Sequence, residues 1–416
     1  MSTNGRKRPL PAGWRWARLG EVARVFSGSA APQERRFFLD GKYPFVRVSD
    51  LGLVGRSTRL THIRDSVNDS AVKEVGLVLA RAGTVIFPKS GAAITTNSRG
   101  ILGIDAFLVS HLAGVTALEG ITLPEWLYFW LCTLDMTAYS DNPGYPSLRI
   151  SRVASIPIPV PPINEQRRVA ARLLQQMAQV ESMRQAARAQ VEAGEALPAA
   201  FLRQVFESEE GKAWPKVGLG DVAHVVQNGI YKSAEYYGRG HPFVRMYNID
   251  NASWNLNLDE LAQVRLEGHE LETYELRTGD LLISRVNSFE LVGKTAWVGP
   301  DAEGHVFENM LIRVRLADSV DSLFMAQQMG AHTVRGQIEG LARRAIGQAS
   351  INSQDLRSVQ IALPPLGEQR RIAALLNKRM ALVTKVAQTA RVQLEAVNAL
   401  PGALLEDVFG GFEPPP

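Results

Sequence analysis

The sequence predicts an α+β chain built twice: two pseudo-twofold-related α/β domains carried on two long helices that pair as a coiled coil. Three observations predict it. Pro161-Pro162-Ile163-Asn164-Glu165-Gln166-Arg167-Arg168-Val169-Ala170 returns as Pro364-Pro365-Leu366-Gly367-Glu368-Gln369-Arg370-Arg371-Ile372-Ala373, half a chain later. Short runs rich in β-branched and aromatic residues and glycine precede each copy. An apolar stripe with alternating three-four spacing follows each copy.

The repeat can be walked from its start. Leu19-Gly20-Glu21-Val22-Ala23 matches Leu219-Gly220-Asp221-Val222-Ala223, and Pro44-Phe45-Val46-Arg47 matches Pro242-Phe243-Val244-Arg245. Arg81-Ala82-Gly83-Thr84-Val85-Ile86 matches Arg277-Thr278-Gly279-Asp280-Leu281-Leu282. Tyr43 to Val48, Thr84 to Phe87, Asp280 to Ile283 and Met310 to Val314 read as strands separated by turns. Pro124 to Thr133 and Ser322 to Met329 read as helices. Late in each half, Gly144, Ser147 and Leu148 match Gly347, Ser350 and Ile351. The islands form a shared framework. Residues 88–125 and 284–325 share little, so two related modules with different specificities are expected.

Each double proline is a helix-start signal. The first stripe runs through Leu173, Met177 and Val180, with Arg184 as a flaw and Gly194 as a weak helix former. The second runs through Leu376, Met380 and Val383 to Val397. Two such stripes in one chain can bury each other without a further partner. Each helix is expected to span roughly 35 residues, about 50 Å at 1.5 Å per residue. Pro198 and Pro401 are expected to kink or end the helices, with short helical pieces over Ala199 to Phe206 and Gly402 to Phe409.

The totals bound the function. A chain of 416 residues exceeds one ordinary core. Its 45% hydrophobic and 21% charged content is that of a soluble globular protein. A formal net charge of +4 is compatible with nucleic acid but does not require it. Cys132, the single cysteine, excludes an intrachain disulfide and a cysteine zinc cluster and suits a reducing, cytoplasmic setting. Met1 to Trp14 has no apolar core of a signal peptide, and the longest apolar run, Leu127 to Leu134, is too short for a membrane span.

Catalytic motifs are weak. Asn142-Pro143-Gly144-Tyr145 is similar to the Asn-Pro-Pro-Tyr loop of amino-methyltransferases but lacks the second proline, and its repeat partner Ala345-Ile346-Gly347-Gln348 keeps only the glycine. Gly293-Lys294-Thr295 is similar to the end of a phosphate-binding loop, yet Ser288 stands where a glycine is needed. The seven histidines have no metal-ligand spacing. The chain is expected to be non-catalytic and to hold no metal or cofactor.

Recognition remains. Reading DNA needs Arg or Lys toward guanine, Asn or Gln toward adenine, and cations along phosphates. The divergent segments supply Lys89, Ser90, Thr96, Asn97 and Arg99 in one half. They supply Arg285, Asn287, Lys294, Arg343, Arg344 and Gln348 in the other. Arg47 and Arg245, within a repeated strand, are candidates with an equal claim to a framework role.

The whole order strongly resembles the specificity subunit of type I restriction-modification systems. The Pro-Pro-hydrophobic-x-Glu-Gln helix starts carry the resemblance, along with Val205-Phe206 and Val408-Phe409-Gly410 near the helix ends. The resemblance implies target recognition domains over 1–160 and 209–363, spacer helices over 161–208 and 364–411, and a disordered tail over 412–416. Each recognition domain would read half of a split site on double-stranded DNA, and the helices would pack antiparallel and set the gap. A spacing of about 50 Å corresponds to roughly 15 base pairs. Glu165, Gln166, Arg167, Glu368, Gln369 and Arg370 would help dock two methyltransferase subunits. Translocase-nuclease subunits would complete the complex, with S-adenosylmethionine, ATP and Mg2+ on those partners. Two alternatives stand beside this reading: a self-sufficient adenine DNA methyltransferase, and a protein-binding coiled-coil scaffold.

Overall fold

The computed structural model describes residues 8–53, 58–140, 146–250 and 253–412. The Asn142 to Tyr145 motif and residues 413–416 of the expected tail lie outside the described residues. The chain divides into two compact units, Met1–Arg188 with Val392–Pro416, and Ala189–Arg391. Each unit holds one α/β domain, the start of the long helix that follows it, and the end of the other long helix.

In the first unit a five-stranded sheet runs Ala23–Ser27, Leu112–Ala117, Val85–Pro88, Gly100–Leu102, Arg59–Leu60, antiparallel except for its last pair. A four-stranded sheet runs Asp65–Val67, Tyr43–Val46, Ala106–Leu108, Leu79–Ala80. Within it Phe45 pairs in parallel with Phe107. The second unit repeats the plan with Ala223–Asn228, Leu311–Leu316, Leu281–Ser284 and Thr295–Trp297. Beside it lies a sheet in which Phe243 pairs in parallel with Val306. A smaller sheet of Val286–Asn287, Gln348–Ser350 and Arg343–Ala345 has a described counterpart only in a single bridge, Ser90 to Ser147.

The strand Val85–Pro88 is buried on both faces, and its period of two divides the side chains between two cores. Val85 and Phe87 join the cluster around Trp126, Phe129 and Trp130. Ile86 joins Phe45, Leu102 and Leu108. In the second unit Leu281 and Ile283 face one cluster and Leu282 the other. The sequence-predicted strands therefore stand, to within two residues. So do the helices Pro124–Cys132 and Ser322–Met329.

The long helices, Ile163–Phe206 and Leu366–Phe409, are 44 residues each. Their ends pack antiparallel within each unit. In the first, Arg172 faces Asp407 and Arg184 donates to Asn398 Oδ1 at 2.8 Å. In the second, Arg391 pairs with Glu195 at 2.7 Å and Arg379 donates to Gln204 Oε1 at 3.0 Å. Leu173, Val180, Leu376, Met380 and Val383 are buried and Met177 is half-buried. The supposed flaws fit: Arg184 is held by Glu181 as well as Asn398, and Gly194 sits where an added Cβ would be 3.5 Å from the Ala387 Cβ.

One half of an expectation is overturned, that the prolines end the helices. Both helices run through Pro198 and Pro401 without ending. A proline inside a helix costs about 3 kcal/mol by deleting one hydrogen bond and crowding the preceding turn. Past Pro401, Leu405, Val408 and Phe409 are buried against Trp126 and Trp130, and past Pro198, Leu202 and Phe206 are buried against Phe324. Each such side chain stabilises by about 1.5–3 kcal/mol, so the terminal turns outweigh the proline.

Candidate nucleic-acid interface

The two central strands end at cations. Lys89 follows Val85–Pro88 and Arg285 follows Leu281–Ser284. Their backbones are held identically. Lys89 N donates to His111 O and Leu148 N donates to Lys89 O, both at 2.8 Å. Arg285 N donates to Met310 O and Ile351 N donates to Arg285 O, both at 2.9 Å. The repeat thus places one cation at the same rim position in each unit. The Lys89 ammonium has no partner among the described residues. Arg285 Nη1 reaches Asn309 O at 3.4 Å and its Nε is buried without a partner.

Arg47 and Arg245 are a second equivalent pair. Arg47 N donates to Asp50 Oδ2 at 2.8 Å and Arg245 N to Asn248 Oδ1 at 2.9 Å. Their guanidiniums are engaged: Arg47 pairs with Asp65, and Arg245 with the buried Glu308 at 3.0 Å, which raises the Arg245 pKa further above its ordinary value. Both remain partly exposed, so each can still offer N–H groups to a ligand while braced by its carboxylate.

Other candidates separate by burial. Arg99 is only 8% exposed, and its guanidinium donates to the carbonyls of Asn97 and Leu134; burial lowers its pKa. Arg99 is corrected from a DNA candidate to a framework residue, because it is buried and both its Nη groups close a loop, while its Nε is buried without a partner. Asn97 belongs to the same closure: it sits at φ 48°, accepts from Met136 N at 3.0 Å and donates to Asp135 at 3.1 Å. Lys294 is likewise turned inward, donating to Ile249 O, with its pKa lowered by burial. Asn287 is occupied locally by Ser284 and Ser288. Ser90 shares a hydrogen bond with His111 Nδ1, and exposed Thr96 donates to Ala93 O at 2.8 Å. Arg343 and Gln348 are exposed and have no side-chain partner among the described residues. Arg344 lies 3.6 Å over the Phe289 ring.

The Glu-Gln pairs split. Gln166 is 0% exposed; its Oε1 accepts from Leu123 N (3.0 Å) and Thr122 Oγ1 (3.2 Å), and its Nε2 donates to the carbonyls of Ile121 and Pro161 (2.9 Å each). Gln369, 1% exposed, accepts from Asp321 N at 2.9 Å and donates to Pro364 O at 2.8 Å. A carboxamide has four hydrogen-bonding positions, and Gln166 has filled all of them within its own unit. Both glutamines are therefore corrected from docking contacts to locks that fix each long helix to its domain. Glu165 accepts from Trp14 Nε1 at 3.0 Å, and Glu368 pairs with Arg371, which holds its carboxyl below the ordinary range. Arg167 and Arg370 are exposed, the former donating to Asn164 at 2.9 Å.

Sequence reasoning missed Ile346. It stands at the tip of the hairpin joining Arg343–Ala345 to Gln348–Ser350 and is 105% exposed relative to an open chain. The signal was an apolar residue before Gly347 between two short polar runs. Phe289 and Glu308, which brace Arg344 and Arg245, were missed as well; their partners are distant in sequence. Among the described residues no three His, Cys, Asp or Glu cluster as metal ligands, and no helix is long and apolar enough to cross a membrane.

Two copies of an α+β unit, each presenting a cation at the same rim position and each locked by a glutamine onto a long helix, define a duplicated recognition scaffold. The chain belongs to the family described as the type I restriction modification DNA specificity domain, whose model matches residues 11–193 and again 211–396. It is similar to the EcoKI specificity subunit of Escherichia coli K12, with 21% identity over 430 residues, 97% of this chain and 89% of that one. A specificity subunit ascribed to the MjaX type I restriction enzyme of Methanocaldococcus jannaschii is 27% identical over 205 residues. That alignment spans 48% of this chain and about half, 47%, of that relative. Among solved structures, a chain from work on complex assembly and conformational transition of the type I R-M system superposes with a TM-score of 0.74 at 23% identity. It covers 97% of this chain and 99% of that one, so the likeness in fold is nearly complete.

Proposed function

We propose that this chain reads DNA for a type I restriction-modification complex in the cytoplasm, without chemistry of its own. Each unit would read one half of a split site, and the exposed helix surfaces around Arg167 and Arg370 would meet two methyltransferase subunits. S-adenosylmethionine, ATP and Mg2+ would be bound by the methyltransferase and translocase-nuclease partners. The observation that carries the reading is the equivalence of Lys89 and Arg285. Two sequence-divergent segments place a cation on the same backbone scaffold, as two readers of different half-sites need. Mapping methylated adenines genome-wide in the source cell, with and without this chain, tests it. Methylation should vanish at one motif made of two defined halves and a fixed gap. An unchanged methylome, together with DNA binding that does not weaken as salt rises, would leave the protein-binding scaffold instead.

A further inference from the structure

We infer that the Arg343–Ser350 hairpin of the second unit is a finger that enters the major groove of duplex DNA, with Ile346 against a thymine methyl and Arg343 and Gln348 on base edges. The inference rests on the DNA-reading role proposed above and assigns the reading elements within it. The hairpin register sets the faces. Arg343 pairs with Ser350, Arg344 with Ala349, and Ala345 with Gln348. Directly opposed residues share a face and neighbours alternate. Arg343, Ala345, Gln348 and Ser350 therefore share one face, and Arg344 and Ala349 the other.

The second of these faces packs on the domain, although Arg344 itself stays exposed. Ala349 is 1% exposed within the domain core, and Arg344 is stacked on Phe289. On the first face Arg343 and Gln348 are exposed, and their side chains have no hydrogen-bond or ion-pair partner among the described residues. The tip is just as open: Gly347, at φ 74°, would meet no atom within 4 Å even with a Cβ added. A single exposed apolar residue is ordinary on a protein surface. Here it caps a ribbon whose base is pinned by Val286–Asn287 and by the bond from Ile351 N to Arg285 O, and whose own charges are all positive.

Dimensions and chemistry agree. The major groove, about 12 Å wide, admits a two-stranded ribbon. There Arg suits guanine, Gln suits adenine, and an apolar side chain suits the thymine methyl. The two cations beside an apolar tip favour a polyanion over a protein surface. Gly347 explains the turn: its left-handed φ lets two residues connect the strands.

The test uses the tagged full chain, purified with whatever subunits accompany it, and selection from randomised double-stranded DNA. Arg343→Ala and Gln348→Ala should each relax one base position in one half of the selected site and weaken binding to it about 10-fold. Replacing the thymine at the finger position by deoxyuridine should weaken the wild type but not further weaken Ile346→Ala. Thermal unfolding of all three variants should match the wild type, since the side chains are exposed. If the variants select the wild-type motif with wild-type affinity, or weaken all sequences equally, the finger is overturned while DNA reading stands. If the wild type selects no sequence and ignores salt, the DNA-reading role itself falls and takes the finger with it.

Discussion

Gln166 satisfies four polar groups with one side chain, so truncating it strands several of them inside the fold. Gln166→Ala should destabilise the first unit by about 2–4 kcal/mol, since each buried donor or acceptor left without a partner costs about 1–3 kcal/mol. Urea unfolding should show a lowered midpoint with an unchanged slope; Thr96→Ala, at an exposed site, should stay within about 0.5 kcal/mol of the parent. Cys132 offers a second residue-scale prediction. Although the residue is only half-buried, burial of the thiol pushes its pKa from 9.0 up to about 11, partly opposed by Arg99. A raised pKa favours the neutral thiol in the fold. Its contribution is therefore present below pH 9 and is lost as pH rises toward 11. Alkylation needs the thiolate, so the native rate should keep rising through pH 10, while in denaturant it should level off near pH 9. Matching profiles in the two states would remove the desolvation argument. Arg99 itself shows what a linear sequence hides. A basic residue after a strand looks like a ligand contact, and only the fold of residues 97–136 reveals that its Nη groups close a loop.

Among the elements, the strands and short helices were legible because apolar alternation and turn residues are local signals. Val85–Pro88 and Leu281–Ser284 fell within a residue or two of expectation for that reason. The helix ends were not legible. Local chemistry says that Pro198 and Pro401 should kink or end a helix, and the deciding burial of Phe206 and Phe409 comes from residues far away in sequence. The 343–350 hairpin was also invisible as a unit, since its third strand, Val286–Asn287, lies some 60 residues earlier. The helix account makes a prediction. If burial overrides the proline, then Pro401→Ala should restore the missing N–H without disturbing the core, because Pro401 lies beside a cavity of about 440 Å³ rather than in tight packing. The variant should be more stable, by up to about 3 kcal/mol, and its thermal midpoint should rise. A fall would mean that the proline is matched to a helix bend that packing requires.

For the molecule as a whole, 46 basic and 42 acidic residues leave little net field to draw in a polyanion. Affinity for DNA must then come from local cations rather than from overall charge. The repeat supplies such a cation in each unit, Lys89 and Arg285, on matching backbone bonds. If the units are independent readers, the effects of removing these cations should combine additively in free energy, as for sites that share no partners. Lys89→Ala should impair one half of the recognised site and Arg285→Ala the other, and the double variant should lose the product of the two single losses. Binding isotherms on the full site, measured at two or more salt concentrations, separate the possible roles. A cation on a phosphate lowers the slope of log K against log salt by about 0.9, whereas one on a base edge leaves that slope nearly unchanged and relaxes one base position. A double variant no weaker than either single variant would show that the two positions serve one contact, and the duplicated scaffold would then not be two readers.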